Sequence, residues 1–192
     1  MKDVRQAATP KRPLIYLLTT PAGSLALIVT PNITNHLWLD DFTYTQLADL
    51  LQFWFAAYDN VQQDSQAWYD KLEEATKKLW EPLMGPLGQK LQELGFDRIT
   101  LIPTGDLSFL PLHAAWTEDK SKPTGRRYAL DDINFTYAPN AKSLTAARTI
   151  AHRVQSDSIL AVDNPRNDLP SYNREINAAV SGFRNRTILQ HI

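Results

Sequence analysis

The stretch Leu101-Ile-Pro-Thr-Gly-Asp-Leu-Ser-Phe-Leu-Pro-Leu-His-Ala-Ala-Trp116 decides how the chain is read. Arg98 to Ile102 is an apolar run of strand length. Pro103 to Asp106 ends it, because proline fixes φ and glycine tolerates a reversal. A second apolar run, Leu107 to Trp116, follows at once. With two prolines and a glycine in the stretch, one long helix is excluded; a strand, a tight corner and a short segment returned to the core are expected. Asp106, Ser108 and His113 are the residue types of a nucleophilic triad. Nothing in their spacing sets the serine on an elbow such as G-x-S-x-G. Ser108 is therefore read as a local turn or cap residue and His113 as a packed, hydrogen-bonded core histidine.

Toward the N-terminus, Leu14 to Thr19 and Leu25 to Thr30 are strand-like runs separated by Thr20-Pro-Ala-Gly-Ser24, a hairpin signal, and His36-Leu-Trp-Leu39 completes an antiparallel meander. His36 has no second ligand at metal spacing and is read as an exposed strand residue. From Thr43 the period changes: Leu47, Leu50, Leu51, Trp54, Phe55 and Tyr58 define one helix face, ended by Asp59-Asn60. A second helix starts near Ser65, with Trp68, Leu72, Ala75, Leu79 and Leu83 inward and Lys71, Glu73, Glu74, Lys77 and Lys78 outward. The aromatics of this helical hairpin are read as core, not as a cofactor site. Pro82 should stop or kink the helix, and Gly85-Pro86 can open a third that runs through Leu94 and Gly95.

On the C-terminal side, Glu118 to Arg127 is polar with Pro and Gly and is expected to be an exposed loop open to proteolysis, with Arg126-Arg127 solvated. Ile133 to Tyr137 alternates as a strand, and Asn140 is a helix N-cap for Ala141 to Arg153. Ser158-Ile-Leu-Ala-Val162 reads as a buried strand, expected inside a mainly parallel layered core. It is followed by the polar loop Asp163 to Pro170, an amphipathic helix Tyr172 to Phe183 and a further strand from Thr187. Loops beyond the carboxyl ends of strands line the crevice of an open α/β sheet, so Asp163 to Leu169 is where chemistry is expected. A sheet left at Thr187-Ile-Leu189, with only His191-Ile192 beyond, would carry an unpaired edge, so an incomplete domain is expected.

The 192 residues carry 20 basic and 21 acidic side chains, a net charge of −1, which gives no field to draw the chain to nucleic acid or an anionic membrane. There is no cysteine, which removes disulfides, zinc thiolates and thiol nucleophiles and fits a reducing cytoplasm. The apolar run Leu14 to Leu18 is too short to span a membrane, and residues 1 to 12 are expected to be a mobile tail. No paired-carboxylate, phosphate-loop or metal constellation stands out, so no cofactor and no metal is expected.

The order of segments, Leu101-Ile-Pro-Thr-Gly-Asp-Leu-Ser-Phe-Leu-Pro-Leu-His-Ala-Ala115, Tyr137-Ala-Pro-Asn-Ala-Lys-Ser-Leu144, Ile159-Leu-Ala-Val-Asp-Asn-Pro165, Leu169-Pro170 and Arg174-Glu-Ile176, resembles the first half of CHAT domains. These are caspase-like domains related to separase and often found behind tetratricopeptide repeats. The resemblance implies an α/β fold: an incomplete caspase-like three-layer α/β/α sheet, begun at 98–192 and preceded at 13–97 by the small β-meander and helices. It implies cysteine-peptidase chemistry, in which a histidine followed by glycine and a cysteine end neighbouring strands. This chain has no cysteine, and its four histidines precede Leu37, Ala114, Arg153 and Ile192, so no catalytic residue carries over. What carries over is the loop bordering the substrate pocket, with Asp163, Asn164, Arg166 and Asp168 as candidate substrate-binding residues. Asx-type turns at Asp163 and Asn164 are the plainer reading of those two. The implied partner is a protein or peptide, including tetratricopeptide-repeat segments of the same or another chain. Two functions follow: the N-terminal part of a CHAT-type peptidase, inactive by itself, or a non-catalytic interaction module derived from one.

Overall fold

The computed structural model describes residues 2–59, 61–153, 157–164 and 172–190. The described elements run as helix α1 (Lys2–Ala7), strands β1 (Leu14–Thr20), β2 (Gly23–Val29) and β3 (Thr34–Leu39), and helices α2 (Tyr44–Tyr58), α3 (Ser65–Lys78) and α4 (Gly85–Glu93). Strand β4 (Arg98–Pro103), β5 (Trp116–Glu118), β6 (Arg126–Tyr128), the short helix α5 (Ala129–Asp132), β7 (Asn134–Tyr137) and α6 (Ala141–Arg153) follow. Last come β8 (Ser158–Asp163), α7 (Tyr172–Val180) and β9 (Asn185–Gln190). The chain divides into two compact units, Met1–Thr145 and Ala146–Ile192.

In the first unit, five strands lie in the order β3-β2-β1-β4-β7. The meander is antiparallel, whereas β4 joins β1, and β7 joins β4, in parallel. The meander and the strand of the organising corner are thus one mixed sheet. Successive strand side chains point to opposite faces, so Ile15 and Leu17 enter one core cluster while Leu14 and Tyr16 enter another. The larger cluster is roofed by α2, the end of α3, α4 and the corner. The smaller is covered by α1 and the first turn of α6, giving three layers. Residues 2–12 are not the tail expected: Ala7 and Ala8 are buried against Leu14, Val29 and Ile102, and Thr9 bridges Arg12. Alanines with no bulk to clash let α1 lie close on the sheet. Gly23, at φ 134°, starts β2 where a Cβ would stand 3.0 Å from Asp40 Cα, so only glycine permits that approach.

The helical hairpin forms where the periodicity places it. Thr43 caps α2 in a capping box with Gln46, and Asp64 caps α3 through the Ala67 N–H. The inner face of α2 is narrower than the spacing predicts: Leu47, Leu50 and Leu51 are buried, while Phe55 and Tyr58 stand 42 % and 56 % exposed. As the proline leads one to expect, the α-helix does not run through Pro82: α3 ends at Lys78 and Trp80–Met84 widens into a π turn, with Met84 N–H donating to Leu79 O, five residues back. The wider turn accommodates a residue that lacks an N–H and crowds the preceding carbonyl. α4 ends in a Schellman pair, Phe96 N–H to Leu91 O and Gly95 N–H to Gln92 O, with Gly95 at φ 76°.

In the second unit, β8 and β9 pair in parallel across the intervening α7, a βαβ unit. Two expectations are corrected here. Among the described residues, β8 hydrogen-bonds as a strand with β9 alone, in a two-stranded sheet separate from the five-stranded one. It is also half bare: Leu160 is 65 % and Val162 49 % exposed, and across the pair Leu189 is 38 % exposed. A parallel pair needs layers on both faces, and the described part of this unit leaves the face of Leu160, Val162 and Leu189 bare. Among the described residues, no helix is long and apolar enough to cross a membrane.

Candidate functional site

The corner at the carboxyl end of β4 is made by two 3₁₀ turns, Gly105–Phe109 and Leu112–Ala114. Leu107, Leu110, Leu112 and Ala115 turn inward and are buried, which returns the segment to the core as its sequence predicts. Ser108 Oγ donates to Gly105 O at 2.7 Å and is the local turn residue expected. His113 is corrected from a core residue to a half-buried one at the corner's rim. Its backbone N–H donates to Tyr137 Oη at 3.1 Å, and its Nδ1 lies 3.0 Å from the same oxygen. The Tyr137 oxygen thus engages His113 twice, through its backbone N–H and through its ring Nδ1. Desolvation raises the Tyr137 phenol above its ordinary pKa, partly offset by the His113 N–H. Two chain segments 24 residues apart are thus tied at the carboxyl ends of β4 and β7. The tie orients an imidazole, while Ser108 Oγ donates to Gly105 O instead.

Asp163 and Asn164 close β8. Both are buried, at 4 % and 6 % exposure, and Asn164 takes φ 34°, the left-handed region that asparagine tolerates better than most residues. Arg166 and Asp168 lie outside the described residues. Among the described residues no group of His, Asp or Glu is arranged to hold a metal ion.

A cluster invisible in the sequence pins β5 and β6 to α3. Trp116 donates its indole N–H to Glu73 O at 3.1 Å, and the Arg126 guanidinium and Lys77 ammonium lie 4.1 Å and 5.1 Å from its ring centroid. Arg126 also pairs with Glu73, Lys77 with Glu118 at 2.6 Å, and Arg127 with Asp132 at 2.7 Å. The expected solvated loop is therefore a hairpin, with only residues 119–125 as its turn, and its two arginines have partners. Three-residue strands carry no legible period, and a Trp and an Arg ten positions apart give no local signal of stacking. Beside this cluster the π turn lines a cleft of about 470 Å³ with Trp80, Gly88, Gln89, Gln92, Arg127 and Ile133. None of the residues singled out from the sequence as sites lines it.

A family model of the CHAT domain matches residues 73–190, more than half of the chain. The chain belongs to the CHAT domain family. The matched span takes in the corner, β7, β8 and β9, while strands β1 to β3 of the same sheet precede it. No curated protein matches the chain.

Proposed function

We propose that these 192 residues form a caspase-like, separase-related peptidase scaffold that presents peptide but does not cut it. The observation that carries this reading is the pairing of a CHAT-domain match with a composition free of cysteine. Thiolate attack on a peptide carbonyl needs a sulfur nucleophile, and any such nucleophile acting with this scaffold must come from residues outside 1–192. Asp163 and Asn164, buried at the end of β8, and Arg166 and Asp168, which follow them in the sequence, are the residues assigned to peptide binding. The acidic members favour a basic side chain and Arg166 an acidic one. The partner is a protein or peptide, including tetratricopeptide-repeat segments, in a reducing compartment.

Peptide-library turnover by the purified chain tests this: no hydrolysis is expected, with or without thiol reagents. Turnover that disappears in His113→Ala would overturn the reading by exposing a mechanism independent of sulfur. A second reading, a non-catalytic interaction module, is favoured by the bare apolar face of Leu160, Val162 and Leu189. Binding of a partner protein that is lost in Val162→Lys, with peptide binding at the Asp163 loop absent, would select it over the first.

A further inference from the structure

The outer edge of β3 is built to pair. Thr30 N–H donates to Ile33 O at 2.9 Å, which makes those two a hydrogen-bonded pair at the head of the β2–β3 ladder. Alternation along the observed register then turns the N–H and C=O groups of Asn35, Leu37 and Leu39 toward β2 and those of Thr34, His36 and Trp38 outward. Among the described residues no strand meets that edge. Exposed edges are ordinarily protected by a lysine, an acidic residue, a proline or a bulge. The strand Thr-Asn-His-Leu-Trp-Leu has none of the first three, its register with β2 runs without a bulge, and Trp38 stands 57 % exposed on it.

The two ends of this edge carry opposite charge. At its N-terminal end Arg5 reaches Thr34 Oγ1 at 3.4 Å, and the Arg5 Nε is buried with no hydrogen-bond partner among the described residues. At its C-terminal end Asp40 and Asp41 are both exposed, and neither forms an ion pair among the described residues. We propose that β3 pairs antiparallel with β3 of a second copy of this chain, joining the two five-stranded sheets edge to edge about a twofold axis. Antiparallel pairing brings the Arg5 end of one strand against the Asp40–Asp41 end of the other, twice, so the charges complement only in this sense. A twofold axis perpendicular to the sheet keeps like faces together and therefore sets a residue opposite itself. Centring it on Leu37 places Asp40 opposite Thr34, the residue Arg5 contacts, and lays Leu37 on Leu37 and Trp38 on His36 of the second copy. Centring it on His36 would set Asp40 opposite Asn32 instead and forfeit that pairing.

Sedimentation equilibrium of the 192-residue chain tests the proposal. A reversible monomer–dimer equilibrium is expected. His36→Pro removes one outward N–H per copy and takes nothing from the ladder to β2. It should raise the dimer dissociation constant about tenfold or more. Trp38→Lys should do the same through edge charge, which keeps the test open if the proline variant fails to fold by circular dichroism. Arg5→Glu should weaken the dimer, and Arg5→Glu combined with Asp40→Lys and Asp41→Lys should restore it. A chain that stays monomeric at every concentration overturns the proposal. So does a dimer of unchanged affinity in the folded edge variants, or a charge swap that restores nothing.

Discussion

Strands β4 and β8 are close relatives in sequence and opposites in the fold. Each is a six-residue run that begins polar, continues through branched apolar side chains and belongs to a parallel pairing. In β4, Ile99, Thr100, Leu101 and Ile102 are all fully or almost fully buried, because β1 and β7 flank it and layers cover both faces. In β8 the apolar positions alternate between half-buried and exposed, with one strand beside it. An apolar strand run thus reports a capacity for burial; neighbours on both edges and both faces decide whether it is used.

The sharpest way to break this comparison is paired truncation. Leu101→Ala should cost about 2–5 kcal/mol in urea unfolding, since it leaves a cavity in a close-packed core, whereas Val162→Ala should cost under about 1 kcal/mol. Equal costs would mean that β8 is covered as well as β4. Amide exchange should agree, with β4 protected to near the global stability and β8 opening far more readily.

Trp116→Ala comes next, because it removes a buried ring, an indole hydrogen bond and the platform for two cations. A loss of about 3 kcal/mol is expected, together with protease cleavage between Asp119 and Gly125. If stability and cleavage stay unchanged, the hairpin is not held by that ring, and its strands belong with the bare ones.

Tyr137→Phe is expected to cost about 1 kcal/mol by cutting the tie to His113. The wild-type phenol, raised in the folded state by desolvation, keeps its proton at a pH where the unfolded chain has begun to lose it. The unfolded state then binds fewer protons, so stability should fall as pH rises from about 10 toward the folded pKa. That alkaline slope should flatten in Tyr137→Phe; a slope that persists would assign it to other groups. The smallest effect is assigned to Lys77→Met, whose ion pair with Glu118 is half exposed to solvent. No resolvable change in urea unfolding is expected, and a clear loss would show that the Lys77 stack on Trp116 matters more than its charge pair.

Much of the architecture was written locally. The meander, the capped helices at Thr43 and Asn140, the corner at Pro103 to Asp106 and the α6 span each follow from periods and turn residues a few positions apart. The CHAT resemblance was legible for the same reason, being an order of short motifs. So was the absence of a thiol, which is composition alone. Misread were features that depend on residues far apart: α1 on the sheet, Arg126 on Trp116, His113 against Tyr137, and the exposure of β8.

Local chain chemistry therefore settled where the longer strands and helices lie and that this polypeptide lacks a catalytic sulfur. Only the folded arrangement could determine which apolar runs are covered, which cations find rings and carboxylates, and which edge of the sheet meets no other strand among the described residues. The reason is physical: caps and turns are satisfied within one or two turns of chain, whereas burial and edge pairing are satisfied by partners the sequence does not place nearby.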